Sequence, residues 1–157
     1  MPPRVYLETS LISYAVGRRS RDLITLANQE LTREWWETER QNYDSFISEL
    51  VLREVEVGDR EIARSRLTLI ASLPILTIPE EAELLAPVLL RAAGLADNAA
   101  TDALHMALAA VHGMHYLLTW NCKHIANAVT RRAVERQCSA AGYDPPVICT
   151  PQELMAR

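Results

Sequence analysis

Four oxygen-bearing side chains stand where chemistry can gather: Glu8, Glu54, Asp102 and Asn121. Glu8 directly follows the apolar run Val5-Tyr6-Leu7, where an uncompensated carboxylate has a high desolvation cost. Glu54 follows Ser48 on a helical stretch flanked by Val51, Leu52 and Val55. Asp102 lies among Ala99, Ala103 and Met106 on a helix almost free of charge, and the closest basic residues in sequence are Arg91 and Lys123. Asn121 follows Leu118-Thr119-Trp120. Lys123 is the only lysine in the chain, against 20 acidic residues. Acids brought together without a lysine partner attract a hard divalent cation, Mg²⁺ or Mn²⁺, because the ion offsets their mutual repulsion. Water on such an ion is suited to hydrolysis of a phosphodiester. Each residue also has a plainer reading. Glu8 and Asp102 suit the first turn of a helix, Glu54 an exposed helix face, and Asn121 a turn.

Those four residues matter only if the fold joins them. Val5-Tyr6-Leu7, Ser45-Phe46-Ile47, the stretch between Pro74 and Pro79, Tyr116 to Trp120 and Val147-Ile148-Cys149 read as short apolar strands. Between them run helical patterns: one opening near Leu11, one from Asp22 to Arg40 with Leu23, Ala27, Leu31 and Trp35 on a stripe, and one capped by Ser48. Others cover Asp59 to Ser72, Glu80 to Ala93, Asn98 to His112 and His124 to Ala140. Thr150-Pro151-Gln152-Glu153 fits a capping box with proline at the first helical position. Apolar strands alternating with helices predict an α/β fold, a three-layer α/β/α sandwich around a central parallel sheet. Sites in such sheets lie beyond the carboxyl ends of the strands, which is where the four residues fall.

Four segments carry a resemblance. Val5-Tyr6-Leu7-Glu8-Thr9-Ser10, Ile47-Ser48-Glu49-Leu50-Val51-Leu52-Arg53-Glu54-Val55, Thr101-Asp102-Ala103-Leu104-His105-Met106-Ala107 and Leu118-Thr119-Trp120-Asn121-Cys122-Lys123-His124-Ile125 resemble the successive motifs of PIN domains. In order and spacing they are similar to VapC-like toxins of prokaryotic toxin–antitoxin pairs. The resemblance covers nearly the whole chain and implies one PIN-like domain over residues 1–157. It implies an Mg²⁺- or Mn²⁺-dependent endoribonuclease acting on RNA, inhibited by a cognate antitoxin protein and forming a homodimer. The family's first acid falls on Glu8, where Asp is commoner, its second on Glu54, its third on Asp102 and its fourth on Asn121, where Asp is common. Thr9 or Ser10 and Thr119 match hydroxyls that hold the acids or a metal-bound water. Glu8, Glu54 and Asp102 are thus the expected metal ligands, with Asn121 orienting a water or a second ion. The longer Glu8 and the neutral Asn121 motivate an alternative, a catalytically weakened PIN-like RNA- or protein-binding module.

The remaining features exclude more than they add. The 157 residues are 49% hydrophobic and 23% charged, with a net charge of −4, which excludes a uniformly basic nucleic-acid-binding surface but not a local site. No apolar run is long enough for a membrane span, and the opening Met1-Pro2-Pro3-Arg4 is unlike a secretory signal. Three scattered cysteines, Cys122, Cys138 and Cys149, do not make a disulfide framework, so a reducing cytoplasm is the expected compartment. Glu49 competes with Glu54, but five residues turn a helix by about 500°, placing them on different faces. His112, His115, Cys122 and His124 lack the second ligand pair of a zinc site, and no glycine-rich phosphate loop occurs. A receiver-like phosphoacceptor would need an Asp directly after a middle strand, and none stands there. Arg18, Arg19 and Arg21 follow the first helix and are candidates for RNA phosphates or an acidic antitoxin segment.

Overall fold

The computed structural model describes residues 1–155. Five strands form one sheet: β1 (Arg4–Leu7), β2 (Asp44–Ser48), β3 (Ile75–Leu76), β4 (Tyr116–Leu118) and β5 (Val147–Cys149). All pairings are parallel, in the order β3-β2-β1-β4-β5. Val5, Tyr6 and Leu7 alternate between the two faces of the sheet, yet all three are fully buried. Both faces are therefore covered, and the expected α/β/α sandwich is present.

Seven α-helices supply the cover among the described residues: α1 (Thr9–Val16), α2 (Leu23–Glu34), α3 (Glu49–Val55), α4 (Arg60–Ile70), α5 (Glu80–Ala92), α6 (Ala100–Val111) and α7 (Ala128–Ala140). The chain leaves β1 towards β2 on one side and returns through β4 to β5 on the other. The order of the sheet thus reverses between β1 and β4. At such a switch point the loops diverge and open a crevice beyond the strand ends.

Two helices differ from expectation. The stripe starting at Leu23 faces the core only at its far end: Leu23 is 79% exposed and Ala27 is exposed, Leu31 is half-buried and Trp35 is buried, while the polar Gln29 and Thr32 are buried. Polar bonds fix that orientation. Gln29 accepts from Ser20 N at 3.0 Å and donates to Arg18 O at 2.9 Å, and Trp120 Nε1 donates to Thr32 Oγ1 at 2.6 Å. The helix also changes pitch into a π-turn at Trp35–Glu39 and a 3-10 turn at Arg40–Asn42. Finally, α7 begins at Ala128 and not near His124. Backbone N–H groups of Ile125 and Ala126 both bond Asn121 O, and Asn127 then caps the helix by accepting from Val129 N. The capping box at Thr150 is present and opens a 3-10 turn, Pro151–Leu154.

All three cysteines are free, and burial pushes the Cys138 and Cys149 thiols up to about 11 and about 12, as expected of inert core groups. No helix among the described residues is long and apolar enough to cross a membrane.

Candidate functional site

The crevice at the β1–β4 switch point is built by the residue after each strand. Glu8 N donates to Leu118 O at 3.1 Å, which joins the two strand ends by one more bond beyond the ladder. Glu8 is 5% exposed and caps α1, accepting from Ser10 N at 3.0 Å. Its other oxygen accepts from the hydroxyls of Ser10 and Thr119, the latter at 2.5 Å. Three donors on one buried carboxylate satisfy it as an anion, which answers the desolvation cost that its position raises.

Glu54 reaches the same crevice from the last turn of α3. Its Oε1 accepts from Thr9 Oγ1 at 2.6 Å and lies 2.5 Å from His105 Nε2. Burial raises the Glu54 carboxyl, but contact with His105 and the hydrogen bond from Thr9 outweigh it, and the group sits below its ordinary range. One oxygen each of Glu8 and Glu54 and one nitrogen of His105 lie within 4.8 Å of one another. Glu54 Oε2 makes no hydrogen bond among the described residues. A donor set of two carboxylates backed by hydroxyls suits a hard divalent cation, so the residues present fit Mg²⁺ or Mn²⁺.

Asp102 and Asn121 form a second cluster beside the first. Asp102 Oδ2 lies 2.8 Å from His124 Nδ1, and Asn121 Oδ1 accepts from His124 N at 3.0 Å. Asn121 N in turn donates to Thr119 Oγ1 at 3.0 Å, the hydroxyl that holds Glu8. A continuous run of hydrogen bonds therefore leads from Glu8 through Thr119, Asn121 and His124 to Asp102. Asp102 itself is not within the tight group of Glu8, Glu54 and His105. Glu49 lies in the first turn of α3, half-buried and outside that group.

Two of the acids have side-chain partners that the sequence reading did not assign. Both face histidines, Glu54 with His105 and Asp102 with His124. Counting lysines and arginines misses imidazoles, which can hydrogen-bond an acid from within an apolar helix. His105 is fully buried in α6, three residues after Asp102. The sign of it was there: a histidine in an alanine-rich, uncharged helix must find a polar partner. Tyr6, fully buried in the central strand, carries the same sign.

Arg18, Arg19 and Arg21 are exposed on the turn between α1 and α2. Arg19 lies 3.5 Å from Glu30, and the turn is held by Arg33, which donates to Ala15 O and Gly17 O.

The chain matches no family model and no curated protein. It is similar to a chain in the crystal structure of VapBC2 from Rickettsia felis bound to a DNA fragment from their promoter. The two share 17% identity over 93% of this chain and 97% of that one, with a TM-score of 0.60. At that identity the likeness is one of fold, and the fold is PIN-like, as the motif order implied.

Proposed function

We propose that this chain is a divalent-metal-dependent endoribonuclease and the toxin of a toxin–antitoxin pair. The observation that carries the reading is the meeting of Glu8 and Glu54 at the switch point, each accepting hydrogen bonds from hydroxyl donors. Glu8 and Glu54 would hold Mg²⁺ or Mn²⁺ directly, with Asp102 reaching it through water and Asn121 orienting that water. When bound, the ion supplies charge stabilisation at a scissile phosphate and acidifies coordinated water. The protein's own part is positional. His105 and Thr9 hold Glu54 Oε1, Ser10 and Thr119 fix the rotamer of Glu8, and Asp102 holds the His124 ring against the Asn121–Ile125 turn. Arg18, Arg19 and Arg21 would meet RNA phosphates or an acidic segment of the antitoxin. The fold likeness to VapBC2 supports an antitoxin partner, and we place the protein in the cytoplasm as a homodimer.

The test is cleavage of a single-stranded RNA by the purified chain in Mn²⁺. Cleavage should stop in EDTA, and a cognate antitoxin protein should suppress it. Cleavage that continues in EDTA overturns the metal reading. One observation favours a second reading, an RNA- or protein-binding module without catalysis. Glu54 and Asp102 are already partnered by histidines, as acids in a purely structural network are. That reading requires RNA binding without cleavage at any Mn²⁺ concentration.

A further inference from the structure

The histidine nearest the acids, His105, looks like a third metal ligand by distance alone. The hydrogen-bond count around it argues otherwise. Glu54 Oε1 already accepts from Thr9 Oγ1 at 2.6 Å, and a carboxylate oxygen only accepts, so His105 Nε2 carries the proton it shares with Glu54 Oε1 at 2.5 Å. On the other side of the ring, Nδ1 lies 2.6 Å from Tyr6 Oη, and Tyr6 Oη lies 2.8 Å from Ser48 Oγ. Ser48 Oγ already accepts from Val51 N as the cap of α3. Its own proton must go to Tyr6, the acceptor within reach. The Tyr6 proton then goes to His105 Nδ1, and every hydrogen in the run has one place.

We propose that His105 is a positioning residue for Glu54 and not a ligand, and that Tyr6 and Ser48 set the tautomer in which it acts. Both ring nitrogens are occupied, one as donor and one as acceptor, and no lone pair is left for an ion. The run begins and ends on α3, at its cap Ser48 and its last-turn acid Glu54, and passes through β1 and α6 on the way. It fixes Oε1 of Glu54 from behind and leaves Oε2 for the ion. The inference rests on the metal reading above and deepens it.

The test loads the full chain with Mn²⁺ and reads pulsed electron paramagnetic resonance for ¹⁴N coupling to the ion, together with calorimetric affinity. We expect no directly coordinated nitrogen. Tyr6→Phe, which frees the ring, should weaken Mn²⁺ about tenfold, in the range of supporting-residue losses. His105→Gln keeps an amide donor near the Nε2 position and should retain more affinity than His105→Leu. Thermal melting in EDTA reports folding of each variant separately. A ¹⁴N coupling of coordinated imidazole that vanishes in His105→Gln overturns the inference alone and leaves the metal reading standing. Equal affinity of folded wild type, Tyr6→Phe and His105→Leu also overturns it. No Mn²⁺ binding by the wild type removes the metal reading and this inference together.

Discussion

The Glu54–His105 and Asp102–His124 pairs share one chemistry and differ in what stands behind the imidazole. His105 is fully buried, and its far nitrogen meets Tyr6. His124 is 24% exposed along its side chain, and its far nitrogen, Nε2, has no partner among the described residues. The first histidine is locked from both ends; the second is anchored at one end and open at the other. A ring locked on both sides can hold an acid in place but can do nothing else, whereas a ring held by one acid keeps its other nitrogen free to bond. The difference comes from the elements. His105 sits inside α6 against the central strand, while His124 sits on a turn that Asn121 ties down through its side chain and backbone.

The largest expected effect breaks the locked pair. Glu54→Gln removes one ligand charge, and Mn²⁺ binding and RNA cleavage should fall by orders of magnitude in calorimetry and a gel assay. The pH dependence of stability should change with it. The Glu54 carboxyl is lower folded than unfolded, so its contribution is present above the ordinary glutamate range and is lost as pH falls through the folded value. Acid melts of the wild type should show that loss, and Glu54→Gln should lack its share. An unchanged acid limb would mean that Glu54 and His105 are not coupled.

Asp102→Asn breaks the open pair and should be milder. Asp102 acts through water or through His124, so cleavage should fall about 10- to 100-fold. Stability in EDTA should drop by about 1 kcal/mol, because the charge-assisted bond to His124 is weakened. Had Asp102 merely repelled the other acids, the variant would melt higher in EDTA. A higher melting temperature with unchanged cleavage would separate Asp102 from the site altogether.

Thr119 joins the two regions, donating to Glu8 and accepting from Asn121 N. It is fully buried, so Thr119→Val leaves an acceptor and a donor without their partner, at about 1–3 kcal/mol. Thermal melting should show that loss, and Mn²⁺ affinity should fall with it as the rotamer of Glu8 loosens. Loss of stability at constant affinity would mean that Thr119 ties the strands and does nothing for the acid.

The fold was legible because its signals are local and repeated. Apolar runs such as Val5-Tyr6-Leu7 and Leu117-Leu118 alternate with helices, and two-faced burial demands such runs. Glu8 and Glu54 were legible because a carboxylate after an apolar strand, or on a partly apolar helix face, is costly without a purpose. The histidine partners were not, since which imidazole meets which acid depends on contacts 51 and 22 residues apart in sequence. The inward face of α2 was missed for a related reason. Hydrophobic periodicity points to Leu23, whereas the helix is turned by the specific bonds of Gln29 and Thr32.

The smallest effects belong to the turn between α1 and α2, far simpler in construction than either acid–histidine pair. Arg33 and Gln29 bind the carbonyls of Gly17 and Arg18, so the turn is fixed while the three arginine side chains are exposed. Their charges are not equally free. Arg19 faces Glu30 at 3.5 Å, and the charge of Arg18 reaches Asp59 and helps lower that carboxyl after its bond from Ile62 N. Arg21 has no acidic partner among the described residues. If the turn meets RNA, Arg21→Ala should weaken binding of a single-stranded probe a few-fold and reduce its salt slope by about 0.7. Arg19→Ala should change both least, since a surface pair with Glu30 contributes at most about 1 kcal/mol and already occupies the guanidinium. Fluorescence anisotropy across a salt series reads both quantities, with Mn²⁺ replaced by Ca²⁺ to suppress cleavage. Equal slopes for wild type and Arg21→Ala would take the RNA away from this turn and leave the antitoxin as its occupant to test.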